Sequence, residues 1–249
     1  DFCLSRGLGD VYKRQDEEWR THEFVHVERF AHFDCCLCFE AGERGPTGEE
    51  GVVVARKAAG TLRAAAVGRP AHSGSAPDKG ANALLALARV AIEGSGHHDP
   101  GGPDRLSVVP TVVRSGEAFN VVPASGELIF DMRADRIAAF QSVLDSIPPE
   151  IDGVRIEVAL RRVWPGMDAR EATRGLLEAA SARLGRPIVG VPRGGASDAS
   201  HFAGSIPLTV DGLGPRGGGA HTPEEFVLAP SLHERAEVAL AIALAALEG

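Results

Sequence analysis

The sequence predicts an α/β protein in which a smaller α+β domain interrupts a larger, mostly parallel α/β layer. Three observations predict it. Strand-like and helix-like patterns alternate at both ends of the chain, as they do in parallel α/β layers. The central stretch reads β-α-β-β-α-β, the split βαβ unit of a four-stranded antiparallel sheet with two helices on one face. Pro165-Gly166 then breaks the pattern and returns the chain to alternation. The boundaries follow: residues 16–59 and 164–249 form the outer domain and residues 60–163 the inserted one.

Taken in order, residues 1–15 stand apart. They hold the only tyrosine, Tyr12, and lack apolar periodicity. Asp10-Val11-Tyr12-Lys13-Arg14-Gln15 resembles a translated transposase-end adapter of sequencing libraries. The expectation is a disordered scar outside the fold, followed by a C-terminal fragment of a longer protein. A helix is expected over 19–26. The apolar run 33–40 reads as a short strand ending in Glu40, and 41–50 as a polar loop. Strands are expected over 51–56, 61–68, 106–114, 127–133 and 154–163. Alanine and leucine predict a helix over 81–93. A second is expected over 137–147, stopped by Pro148 and Pro149. Beyond the return come a helix over 171–184, a strand over 188–191, a glycine-rich loop over 193–198, and a strand over 206–211. A second glycine loop ends on Ala220-His221, and Pro223-Glu224-Glu225 resembles a helix start. The last helix runs from Ser231.

The chain has 249 residues, 44% of them hydrophobic, enough to bury real cores. Its net charge of −8 argues against nucleic-acid partners. No apolar run is long enough for a membrane helix, and the first residues lack the pattern of a secretory leader. Cys35, Cys36 and Cys38 lack the C-x-x-C spacing of a zinc site. Cys36 and Cys38 read as small apolar residues on one face of a buried strand, and the cytoplasm is the expected compartment.

Acids and histidines placed on loops are Glu17, Glu18, Glu40, Asp198, His221 and, in the inserted domain, His72. Carboxylates with imidazole suit zinc, and a neighbouring glutamate free of metal would serve as a base. A rival pattern is present. His22, Glu23 and His26 spell H-E-x-x-H, which on a helix would make a zincin-type metalloprotease. A third reading is a non-catalytic dimerising or ligand-binding remnant.

Four stretches in order resemble one family: the run from Gly68-Arg69-Pro70-Ala71-His72 to Asn82-Ala83; Asn120-Val121-Val122-Pro123 with Asp131-Met132-Arg133; Arg193-Gly194-Gly195-Ala196-Ser197-Asp198; and Gly219-Ala220-His221. They are similar to the co-catalytic zinc hydrolases of peptidase family M20, which include glutamate carboxypeptidases, acetylornithine deacetylases and succinyl-diaminopimelate desuccinylases. The resemblance runs from Asp16 to the C-terminus. It implies a zinc-hydrolase catalytic domain lacking its N-terminal part, with a ferredoxin-like dimerisation (lid) domain inserted. It implies cleavage of an amide bond beside a carboxylate, in an N-acyl amino acid or short peptide, by a homodimer. It also implies two Zn2+ in each full-length protomer, with cobalt or manganese as substitutes. Glu17 would be the base, Glu18 and His221 ligands of one zinc, and Glu40 a ligand of the other. His72 would steady the oxyanion in the partner's site. Asn120, Arg133 and Arg193 would hold the substrate carboxylate. The family's earlier His-x-Asp and bridging Asp have no counterpart, so this fragment by itself is expected to be inactive. Trp19-Arg20 also stands where the family has Gly-Ser.

Overall fold

The computed structural model describes residues 27–220 and 222–248. The expected adapter segment, the helix over 19–26 and the H-E-x-x-H pattern therefore lie outside the described residues. The described chain divides into two compact units, one formed by the stretches up to Lys57 and from Gly166 onward, the other by Ala58–Pro165.

In chain order the first unit opens with one helical turn, α1 (Val27–Phe30), and β1 (Cys35–Leu37). The expected strand over 33–40 shrinks to three residues. β2 (Glu43–Arg44) and β3 (Glu50–Arg56) follow as an antiparallel pair, so the stretch expected to be pure loop contains a short strand. Val52, Val53 and Val54 are buried, which suits β-branched residues inside a sheet.

The second unit begins with β4 (Ala58–Val67), whose alternating burial turns Leu62, Ala64 and Ala66 inward. α2 (Ala83–Ser95) starts where Asn82 caps it, its side chain accepting from the amides of Leu84 and Leu85. β5 (Ser107–Ser115) and β6 (Ser125–Ala134) come next. The helix expected over 137–147 starts as a 3-10 turn over Ile137–Phe140 and becomes α3 (Gln141–Ser146). β7 (Glu150–Ile151) and β8 (Val154–Trp164) close the unit. The sheet order is β5-β6-β4-β8-β7, antiparallel throughout, so the expected four strands gain a two-residue fifth. Ala86, Leu87 and Val90 of α2, Phe140 just before α3 and Val143 within it cover one face, packing on Leu128, Phe130 and Met132 of β6.

Back in the first unit, β9 (Met167–Asp168) pairs with the end of β3. α4 (Arg170–Leu184) ends on Gly185, whose φ of 73° is the left-handed cap that glycine adopts freely. β10 (Ile188–Arg193) lies parallel to β3. α5 (Ala199–Phe202) leads to β11 (Leu208–Val210), which is parallel to β1. A backbone bridge between Val53 and Asp211 links the two strand pairs.

The expected helix start at Pro223-Glu224-Glu225 is overturned. Gly217–Gly218 (β12) pairs antiparallel with Phe226–Val227 (β13), and residues 222–225 form a turn rather than a helix. Gly219, at φ 68°, permits the turn, because a Cβ there would sit 2.9 Å from the Glu224 carbonyl oxygen. The helix begins later, as α6 (Ala229–Glu248), with Pro230 in its first turn. Val238, Ala241, Ile242 and Ala245 of α6 and Leu176, Leu177 and Ala180 of α4 cover Val52, Val54, Ile188 and Val210.

Candidate active site

In the first unit, strand ends and loops gather the chemistry. Glu40 is exposed, three residues past the C-terminal end of β1, where α/β proteins place their sites. Its backbone is laid along the chain that follows β11: Cys38 N–H donates to Val210 O, Leu213 N–H to Cys38 O and Gly214 N–H to Glu40 O. Asp211, just past the end of β11, is wholly buried. Its Oδ2 accepts from Arg56 Nε at 2.6 Å and Ser197 Oγ at 2.5 Å, and Arg56 Nη1 also donates to Gly195 O at 2.8 Å. One buried ion pair thus ties the loop 193–198 to the ends of β3 and β11. An ion pair inside low-dielectric surroundings holds position only when its remaining donors and acceptors are satisfied, as here.

Burial, then the charge and hydrogen bond of Asp211, then Glu40 and Asp198, push the Cys38 thiol far up. Cys36 is pushed up to about 11, chiefly by burial. Among the described residues Cys35, Cys36 and Cys38 are half-buried and free, and Cys38 packs beside Met167, Ala169 and Ala199.

Arg193 is exposed at the C-terminal end of β10 and pairs with Glu43. Both line a cleft of about 490 Å³ with Arg44, Arg216 and Gly217. The glycine loop is anchored by Arg216: its N–H donates to Ser231 Oγ at 2.9 Å and its carbonyl accepts from Leu228 N–H at 2.8 Å. Burial lowers the pKa of His201 on α5.

In the second unit, His72 and Asn120 are brought together. Ser73 N–H donates to Asn120 O at 3.0 Å, Val122 N–H to Ala71 O at 2.8 Å, and His72 forms a backbone bridge with Val121. Arg133 stands apart. It pairs with Ala59 at one end of β4, whereas His72 and Asn120 lie beyond Val67 at the other. Eight residues of strand separate the ends by about 26 Å at about 3.3 Å per residue. Within one unit Asn120 and Arg133 cannot grip one carboxylate, and Arg133 is engaged by Asp131, with Nε–Oδ2 and Nη2–Oδ1 both 3.0 Å.

Of the expected metal ligands, Glu18 and His221 lie outside the described residues, as does the base Glu17. Among the described residues no group of three or more His, Cys, Asp or Glu side chains is placed to hold a metal ion. Glu40 offers an exposed carboxylate just past a strand end, a chemistry that suits a metal ligand.

Reading the sequence missed Asp211, Arg56, Arg216, Arg235 and Glu50. Arg235 had a signal. It shares a helical stripe with Val238, Ile242 and Ala245, and a charge on an apolar stripe calls for a buried partner.

The chain is thus an α/β unit with loops at its strand ends, interrupted by an antiparallel α+β unit. Residues 54–152 match the peptidase dimerisation domain of M20 type. The chain is 28% identical over 173 residues to carboxypeptidase G2 of a Pseudomonas species, which covers 64% of this chain and 40% of the relative. It is 35% identical over 91 residues to a homolog of p-aminobenzoyl-glutamate hydrolase from Haemophilus influenzae, 36% of this chain and 21% of the relative. Among solved structures, the aminopeptidase PepT of Bacillus cereus superposes with a TM-score of 0.73 at 19% identity, over 90% of this chain and 60% of that one. Residues 54–152 are thus similar to the dimerisation domain of M20-type peptidases, and the chain spans less than half the length of these two curated relatives.

Proposed function

We propose that the whole protein hydrolyses an amide bond next to a carboxylate, in an N-acyl amino acid or short peptide. The observation that carries this is the juxtaposition, in one chain, of an M20 dimerisation domain with a unit presenting Glu40, Arg193 and the glycine loop at its strand ends. Glu40, with Glu18 and His221, would hold zinc, which when bound supplies a water of lowered pKa. Glu17 takes a proton from the attacking water and passes it to the departing amine. His72 donates to the carbonyl oxygen as it becomes negative, and Asn120 and Arg193 hold the substrate carboxylate, an anion the arginine fork can bind bidentately. The three free thiols among the described residues fit a reducing cytoplasm. Among the described residues no helix is long and apolar enough to cross a membrane.

The test is made on the full-length gene product. It is expected to hold two zinc ions per protomer and to cleave acyl-glutamate substrates. A metal-free protein that is equally active would overturn the reading. His72→Ala and His221→Ala variants, each weakly active alone, are expected to regain part of the activity when mixed, through hybrid dimers with one intact site.

The dimer surface is proposed on the second unit. β5 is a long edge strand, with Val113 61% exposed, and α2 carries Ile92 at 76% and the exposed Leu85. An open edge pairs readily with its two-fold mate. The double variant Val113→Asp, Ile92→Glu is expected to sediment as a monomer in analytical ultracentrifugation; an unchanged dimer would place the contact elsewhere.

A further inference from the structure

His72 is held in an unusual way for an exposed histidine. Its Nδ1 accepts from two successive backbone amides, Gly74 N–H at 3.1 Å and Ser75 N–H at 3.2 Å. Its carbonyl accepts from Ala76 N–H at 3.1 Å, closing a single turn, and the backbone on either side is clamped to residues 120–122. A neutral imidazole has one N–H and one bare nitrogen, and the hydrogen bonds made by one nitrogen decide the state of the other. A proton on Nδ1 would point at two N–H groups. We propose that the backbone amides of Gly74 and Ser75 fix His72 as its Nε2–H tautomer, so that it meets a ligand only as a hydrogen-bond donor and through Nε2.

The consequence is chemical. With Nδ1 occupied, His72 has no lone pair to offer a metal ion and none with which to take a proton from substrate. What remains is a single N–H on a rigid loop, suited to an acceptor that gains negative charge: a carbonyl oxygen under attack or a carboxylate. The identity of that acceptor rests on the hydrolase reading above; the tautomer does not. Gly74 and Ser75 are positioning residues here, acting through His72. Glycine at 74 is not required by crowding, since a Cβ there would lie 3.5 Å from the imidazole Cε1, an ordinary contact. What the ring uses is the N–H of each residue, so the informative substitution removes an N–H rather than a side chain.

The experiment is a long-range 1H–15N spectrum of the chain as it stands, with the His72 signals assigned by their loss in His72→Gln. A neutral-pH spectrum with a bare Nδ1 and a protonated Nε2 is expected. The Nδ1–H tautomer, or an even mixture, would overturn the proposal without any variant. Ser75→Pro deletes one donor and is expected to shift His72 toward the mixture. An unshifted tautomer in a folded Ser75→Pro variant would also overturn the assignment. In full-length protein the same variant is expected to lower kcat about tenfold, with KM and zinc content kept. A shifted tautomer with unchanged kcat would uphold the tautomer lock and overturn the role of His72 in the hydrolase reading.

Discussion

Glu50→Ala is expected to destabilise the first unit by about 3–5 kcal/mol, the usual result of removing one member of a buried ion-pair group. Glu50 is 6% exposed, and its Oε2 accepts from Arg216 Nη1 at 2.8 Å and from Arg235 Nη1 at 3.0 Å. Arg235 is 1% exposed and spends its other donors on the carbonyls of Gly212 at 2.6 Å and Gly214 at 3.3 Å. Without Glu50, two guanidinium groups remain in the interior with no shared anion. The space is already full: a Cβ on Gly42 would lie 2.7 Å from Arg235 Nε, so the arginine has nowhere to turn. Amide exchange should rise in β3 and α6 and stay unchanged in β4 and β6. Glu127→Ala is the control, since Glu127 bridges Arg63 and Arg114 at the surface and such exposed pairs contribute about 0–1 kcal/mol. Equal losses in the two variants would show that the buried cluster is not the anchor of the glycine loop.

The same group has a pH signature. Burial by itself would raise the Glu50 pKa, but hydrogen bonds from Arg235 and Arg216 outweigh it and the carboxyl lies below its ordinary value. A depressed folded-state pKa contributes stability above the unfolded value, about 4.3, and loses it as pH falls through the folded value. Wild-type stability should therefore fall below about pH 4.3 more steeply than that of Glu50→Ala. Parallel acid curves would remove Glu50 from the account.

In full-length protein, Glu17→Gln is expected to lower kcat by about 10²–10⁴-fold, the range for losing a general base, with zinc content retained. The amide keeps the shape of the side chain and loses only the ability to take a proton. Glu40→Gln should behave differently: a ligand is weakened, so zinc content falls with activity. A Glu17→Gln enzyme that turns over normally would return the Asp16-Glu17-Glu18 triplet to a solvated stretch and, with Trp19-Arg20 behind it, detach it from the family pattern. One that loses zinc would make Glu17 a ligand.

Much of the second unit was legible because its strands alternate. Leu62, Ala64 and Ala66 against Thr61 and Arg63 is a loose period two, and an alanine- and leucine-rich run marks α2, whose start at the Asn82 cap only the structure located. The small elements were not legible. β2, β7, β9, β12 and β13 have two residues each, too short to show any period, and they exist because a neighbouring strand offers them backbone partners. Glu224 and Glu225 look like a helix start by local rules. Pairing of Gly217–Gly218 with Phe226–Val227 overrides those rules, since the hairpin satisfies backbone groups that a helix would have to satisfy within itself.

For the site, residue types and motif order in the sequence by themselves determined the family resemblance, the α/β and α+β architecture, and which acids, histidines and arginines to consider. That information is local, carried by side-chain chemistry and spacing. Only the tertiary structure decided that His72 and Asn120 share one end of a sheet while Arg133 lies at the other, paired with Asp131. Only it decided that Arg56, Asp211 and Ser197 form one buried hub, and that Arg235 and Arg216 share Glu50. Those partners are separated by 14 to 185 positions. No spacing rule reaches so far, and what brings such groups together is the cost of burying a charge alone, which is met only once strands and helices have packed around it.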